Sequence, residues 1–294
     1  MKIVDILNRQ GVSVSFEVFP PKKDSDFSQA RQVVTEIASL SPSFLSVTFG
    51  AGGGTSKSTA QIAELIQRCG VPALAHLTCV SSTRDEVSGV LEDLKSRGIQ
   101  NVLALRGDIP PGMEFPSPRQ YRYAKELVRQ IKSSGDFCIG AACYPEGHVE
   151  CEHKEDDIDH LKEKVDCGCD FLTTQMFFDN NIFYNFLYRV LAKGIRVPVA
   201  AGIMPVTSSK QIRRICALSG TALPPRFLAI VDKFSDNSKA MKQAGIAYAT
   251  EQIIDLVANG VKAIHVYAMN KPDVARKIME NISDILSDGQ KGLD

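Results

Sequence analysis

A single carboxylate interrupts an apolar and small-residue run near the start of the chain: Ser13-Val14-Ser15-Phe16-Glu17-Val18-Phe19, followed at once by Pro20-Pro21-Lys22. Alternation predicts a strand with Val12, Val14, Phe16 and Val18 on one face and Ser13, Ser15 and Glu17 on the other. The prolines end that strand and leave Glu17 projecting from its C-terminal end, where parallel α/β folds bind ligands. A carboxyl group held there and screened from water by aromatics keeps its proton to higher pH, which suits a general acid. The structural alternative is a strand-end Glu paired with a nearby Lys or Arg.

Other polar residues fall at or just past apolar runs: Thr48, His76, Arg106-Gly107-Asp108, Tyr144, Gln175 and Asn270. Core packing does not explain so many polar groups at strand ends, whereas an active-site rim does. In Arg106-Gly107-Asp108-Ile109-Pro110-Pro111-Gly112 the glycine permits close approach of the backbone to a flat ligand, and the prolines stiffen the loop that holds Asp108. A surface Arg/Asp pair on a plain turn is the alternative. Tyr144-Pro145-Glu146-Gly147-His148 supplies an aromatic and an imidazole suited to a cofactor's ring or phosphates.

Two tempting motifs fail. In Gly50-Ala51-Gly52-Gly53-Gly54-Thr55-Ser56-Lys57-Ser58, Ser56 stands where a phosphate-binding loop needs Gly, and Thr55 stands where a dinucleotide fingerprint needs its last Gly. A tight strand-to-helix turn is expected, with an anion at the helix N-terminus as the alternative. His148-x2-Cys151-x-His153 with Cys167-x-Cys169 lacks the paired C-x2-C spacing of a zinc ribbon, so no metal is expected.

The elements that must position these groups follow a repeating cadence of amphipathic helix, glycine and short β-rich run. Gly70, Gly98, Gly135, Gly168, Gly194 and Gly260 each precede such a run, placed as left-handed residues that close a helix. With the Glu17 strand and Phe44–Phe49, eight strands are predicted, separated by helices such as Thr83–Ser96 with its Thr83-x-x-Glu86 capping box. Asn237–Ala258 reads as an extra-long helix. Eight βα units in 294 residues predict an α/β fold, a closed (β/α)8 TIM barrel forming one domain over residues 1–294, with a doubly wound open sheet as the alternative.

Lys plus Arg equal Asp plus Glu at 34 each, which gives no bulk attraction to nucleic acid or anionic membrane. No apolar run approaches the ~20 residues of a membrane helix. The start lacks the apolar core of a signal peptide, and the eight cysteines sit mostly in apolar segments as reduced thiols do. A cytoplasmic enzyme is expected.

Six ordered segments together resemble the methylenetetrahydrofolate reductase family: Ser15–Pro21, Ser46–Gly50, His76–Cys79, Leu105–Gly112, Ala142–His148 and Thr174–Asp179. The likeness runs from about residue 12 to 283, and the chain looks like a prokaryotic-type catalytic unit without the eukaryotic regulatory domain. The resemblance implies a ping-pong flavoenzyme carrying FAD rather than FMN. NADH or NADPH reduces the flavin at N5, and 5,10-methylenetetrahydrofolate is then reduced to 5-methyltetrahydrofolate, with Glu17 as general acid. It implies flavin contacts at Thr48, Phe49, His76, Arg106, Gly107, Asp108, Tyr123, Ala124, Tyr144, His148, Asp157, His160 and Lys164. Asp108 also reads the pterin, and Gln175, Gln211 and Lys271 fall at folate-side positions. A homo-oligomer is expected. Two departures stand out: Lys271 replaces a frequent Arg, and Ile215 replaces an aromatic that packs on the nicotinamide. The second departure motivates an alternative, a flavin-carrying subunit that works only with a partner subunit and another electron donor.

Overall fold

The computed structural model of the chain describes residues 1–21, 26–49, 56–80, 82–109 and 121–288. Lys22, the glycine-rich segment Gly50–Thr55 expected to form a turn, and Pro110–Gly112 lie outside the described residues. The strands are β1 (Ser13–Val18), β2 (Leu45–Val47), β3 (Ala73–Thr78), β4 (Asn101–Leu105), β5 (Cys138–Cys143), β6 (Phe171–Thr174), β7 (Val199–Ile203) and β8 (Ala263–Val266). The helices are α1 (Ile3–Leu7), α2 (Phe27–Ala38), α3 (Ser56–Arg68), α4 (Arg84–Ser96), α5 (Ala124–Ser134) and α6 (Lys154–Asp166). They continue with α7 (Asn180–Ala192), α8 (Ser209–Ser219), α9 (Pro225–Lys233), α10 (Ser238–Ala258), α11 (Pro272–Asn281) and α12 (Ser283–Asp288).

All eight strands pair in parallel, each with its sequence neighbour, and β8 closes on β1 with Ser15 opposite His265. The result is the closed (β/α)8 barrel the cadence predicts, not the open sheet. Alternation within each strand then divides inside from outside. Val14, Phe16 and Val18 join the apolar belt between sheet and helices. Ser15 and Glu17 face the lumen. At the N-terminal end of the barrel, Leu74, Leu103, Phe171, Ala200 and Ala263 pack with Phe44 and with Ile3, Ile6 and Leu7 of α1. That short helix plugs the barrel floor, and its Ile3 N–H donates to Asn101 Oδ1 at 2.8 Å.

The local signals behave as their chemistry demands. Thr83 accepts from the Glu86 N–H while the Glu86 carboxylate accepts from the Thr83 N–H, which completes the capping box. Asn237 Oδ1 accepts from the Ala240 N–H and starts the long α10. Gly70, Gly98, Gly194 and Gly260 take the expected left-handed conformation, whereas Gly135 and Gly168, at φ 151° and 120°, lie outside that basin. The second strand is shorter than expected, since Phe44 and Phe49 flank it.

The cadence does not foresee α1, nor the pair α8 and α9 that precedes α10. From α8 and α9, Ile212, Phe227 and Val231 join Met176, Phe178 and Val206 in a satellite core beside the barrel. Gly245 lets α10 lie directly on the chain leaving β7. A Cβ there would stand 1.7 Å from the Val206 carbonyl oxygen, and backbone cannot yield as a flexible side chain can. Gly245→Ala is therefore expected to destabilise the protein by about 1–3 kcal/mol, read as a lower urea midpoint at unchanged slope.

Candidate active site

The lumen above the apolar plug opens at the strand C-termini into a cavity of about 1440 Å³. Glu17 lies at its floor, 9% exposed. Burial holds its proton on and raises the carboxyl pKa from 4.5 to about 8, with the Ser46 hydroxyl pulling the other way. Among the described residues no Lys or Arg pairs with it. A titratable neighbour is His76, whose Nε2 stands 3.5 Å from Glu17 Oε2. That imidazole is neutral: burial, reinforced by the neighbouring His265, lowers its pKa to about 3. Among the described residues the carboxyl group is therefore not the cation-paired strand-end Glu of the structural alternative.

Beneath Glu17 runs a chain of buried hydrogen bonds absent from the candidates read from sequence. Burial also keeps His265 neutral, with a pKa of about 3. Ser15 Oγ donates to the Ile264 carbonyl at 3.1 Å, so it must accept from His265 Nδ1 at 2.8 Å. His265 Nε2 is then an acceptor, and the Ser46 hydroxyl donates to it at 3.3 Å. With its proton committed, Ser46 Oγ offers a lone pair toward the protonated Glu17. Once Glu17 ionises, the same hydroxyl can turn to the carboxylate. The missed signal was the lumen register itself: Ser15, Ser46, His265 and Tyr267 occupy inward positions flanked by apolar outward ones.

The cavity walls bring together Thr48, Phe49, His76, Arg106, Gly107, Asp108, Tyr144, His148 and Gln175 with Glu17. His76 lies within β3 rather than at its end, and its Nε2 is buried with no hydrogen-bond partner among the described residues. Arg106 does not pair with Asp108. Its two terminal nitrogens each stand 2.6 Å from a Glu150 oxygen, while Nε donates to the Gly107 carbonyl at 3.3 Å. Tyr144 meets His148 edge-on at 4.7 Å between ring centroids. His148 Nδ1 accepts from the Glu150 N–H, so its Nε2 carries the proton at neutral pH, and burial with Arg106 nearby lowers its pKa. Asp108 is exposed at the lip.

Other expected residues stand outside the cavity lining. Tyr123 precedes α5, with Ala124 its first residue, and its exposed ring has Arg122 at 5.4 Å and Lys125 at 5.6 Å. Asp157, His160 and Lys164 share α6. Lys164 is half-buried and its Nζ donates to the Ala142 carbonyl at 2.6 Å, Asp157 is half-buried with a raised pKa from desolvation, and His160 is exposed. Gln211 is exposed on α8, and Lys271 Nζ donates to Thr207 Oγ1. Asn270 is structural: its side chain accepts from the Phe19 N–H at 2.8 Å and donates to the Phe19 carbonyl at 3.2 Å. Ile215 packs in the satellite core. All eight cysteines are free thiols. No described helix is long and apolar enough to cross a membrane, and no group of three His, Cys, Asp or Glu among the described residues is placed to hold a metal ion.

The raised Glu17 pKa fixes the sign of a stability effect. The folded state keeps this proton above the unfolded value of 4.5, so folding binds protons and stability falls as pH rises toward about 8. Gln has no such dependence. Thermal melts of Glu17→Gln against the unaltered protein should show a stability gain that grows from about pH 5 to pH 8 and then levels off, reaching a few kcal/mol.

A family model described as methylenetetrahydrofolate reductase matches residues 2–283. The 5,10-methylenetetrahydrofolate reductase of Escherichia coli is 34% identical over 272 residues, covering 92% of this chain and 90% of that protein. Methylenetetrahydrofolate reductase (NADH) 1 of Arabidopsis thaliana is 36% identical over 301 residues, but this chain spans only 51% of its length. Thus the chain spans about half the length of the plant relatives it matches. A solved structure of an uncharacterized Clostridium thermocellum protein, which binds two copies of 5-methyl-5,6,7,8-tetrahydrofolic acid, superposes with TM-score 0.64 at 15% identity over 98% of this chain and 99% of that one. That likeness bears on the barrel alone. The family match over nearly the whole chain agrees with the six ordered segments: the chain belongs to the methylenetetrahydrofolate reductase family.

Proposed function

We propose that the chain is a flavin-dependent reductase that converts 5,10-methylenetetrahydrofolate to 5-methyltetrahydrofolate, with residues 1–294 acting as one catalytic domain and Glu17 as the general acid. The observation that carries this reading is a carboxyl group, protonated at neutral pH, lining a large cavity with no Lys or Arg paired to it among the described residues. The family match supports the reaction, and the eight free thiols suit a cytoplasmic setting.

The residues fit a flat, polar-edged cofactor. His76 lines the cavity, and its Nε2 is buried with no hydrogen-bond partner among the described residues, so a ring atom brought within reach would satisfy it. Thr48, Phe49, Gly107, Tyr144 and His148 provide the surrounding walls, and Arg106, once released from Glu150, supplies a cation for a phosphate. The exposed Tyr123 ring between two cations, with Ala124, Asp157, His160 and Lys164 alongside, suits an adenylate half and favours FAD over FMN. When bound, the flavin supplies the hydride chemistry, with NADH or NADPH as reductant.

The protein's own part is protonic and positional. The Glu17 hydroxyl donates its proton to a ring nitrogen of the bound folate, which promotes opening of the five-membered ring. The carboxylate left behind has no cation paired to it among the described residues, so it reclaims a proton readily, with Ser46 as its hydrogen-bond donor meanwhile. Asp108 accepts from the pterin's amino and N–H groups, and Gln175 flanks the same ring. Gln211 and Lys271 serve the folate's benzoyl-glutamate end; Lys271 offers a point charge to a carboxylate, where Arg would offer a fork.

The purified chain should be yellow. Glu17→Gln should keep flavin and its bleaching by nicotinamide, yet lose methylenetetrahydrofolate turnover by about 10²–10⁴-fold. Normal folate turnover in that variant would remove Glu17 from the mechanism. Anaerobic stopped-flow of the single chain separates this reading from the partner-subunit alternative: bleaching by NADH or NADPH at turnover rates sinks the alternative.

A further inference from the structure

We infer that Thr173 is a ring-binding residue, whose hydroxyl supplies a hydrogen bond to the edge of the flat nitrogen heterocycle held in the cavity. The assignment rests on the reductase reading above and adds a contact that neither the motifs nor the family resemblance supply.

Thr173 lies on β6 between Phe171 and Gln175. Phe171 packs in the lumen plug while Leu172 packs in the outer belt, so alternation turns Thr173 inward with Phe171. It lines the same cavity as Glu17 and Gln175. The residue is 4% exposed, and its Oγ1 has no hydrogen-bond partner among the described residues. Thr174 makes the contrast: its Oγ1 accepts from the Gly202 N–H at 2.8 Å. Strand register places Ala142 on one side of Thr173 and Ala200 on the other. Neither methyl side chain can reach over the hydroxyl or bond to it.

A buried hydroxyl without a partner costs free energy that a valine of the same shape would avoid. The cost is recovered when an occupant of the cavity completes the bond. Flavin and pterin both carry alternating carbonyl, N–H and ring-nitrogen edges, and a hydroxyl can donate to the first or accept from the second. A site built to bond such an edge discriminates against rings that lack it.

Thr173→Val and Thr173→Ser test this in two arms. One arm titrates flavin into the apoprotein by fluorescence quenching. The other titrates 5-methyltetrahydrofolate into the flavin-loaded protein by the shift in flavin absorption. In one arm Val should weaken binding on the order of 10-fold, and Ser should restore it to within about 2-fold; the arm affected names the ring. The apoprotein melting temperature of the Val variant should equal or exceed that of the unaltered protein, since no internal bond is lost. Should Val fail to fold, Thr173→Ala replaces it in both arms. Unchanged affinity in both arms means that only an internal water uses the hydroxyl, and overturns the assignment. A lower apoprotein melting temperature with unchanged affinities overturns it too, by giving Thr173 a structural role. If the unaltered protein takes up no flavin, the reductase reading itself falls, a failure seen before any variant is made.

Discussion

The burial of one carboxyl group, with no cation paired to it among the described residues, is the constraint around which the barrel interior is organised. A carboxylate beside Arg or Lys would ionise well below neutral pH and could donate nothing. Glu17 instead meets Ser46 and a histidine that burial keeps neutral. Its neighbours across the lumen are serine, threonine, tyrosine and a second neutral histidine. These groups can share hydrogen bonds but cannot counter a charge. Apolar packing keeps most of that polar layer out of bulk water. The belt of Val14, Phe16, Val18 and their helix partners surrounds it, and the plug built by α1 seals it from below.

Charge also stands near the rim of the same cavity. Arg106 and Glu150 pair near the lip, and Asp108 is exposed to water, where opposite charges coexist at modest energetic cost. The vertical separation gives one site two dielectric regimes. Ionic groups of a ligand can be met at the lip while proton transfer proceeds at the floor. The tautomer of His265 is dictated from beneath, because Ser15 already spends its proton on a backbone carbonyl. Polarity thus propagates up the chain of bonds toward Glu17 without any charged member.

Much of this architecture is legible in the sequence because each unit repeats the same physics. A helix ends at glycine, a short apolar run follows, and a polar residue terminates it, so strand count and rim both emerge from one cadence. Glu17 stands out as a charge among apolar neighbours. What escapes is long-range or small. Ser15 and Ser46 look like filler until strand closure places them against His265, some two hundred and fifty residues from Ser15 along the chain. The helices α8 and α9 break the interval without a composition change, and α1 is too short for periodicity to register. Asn270 shows the converse failure: a polar residue in a rim position that secures backbone instead of ligand.

That asparagine, at φ 54°, grips Phe19 through both its N–H and its carbonyl, just where the last strand returns to the first. The seam between β1 and β8 also carries the Ser15–His265 bond. Glu17 is made early in synthesis, but the neutral walls that protect its proton are completed by residues near the other end. During translation the nascent chain therefore holds an ordinary, ionised glutamate until its final strand has left the ribosome. The chemical competence of the first strand is conferred last.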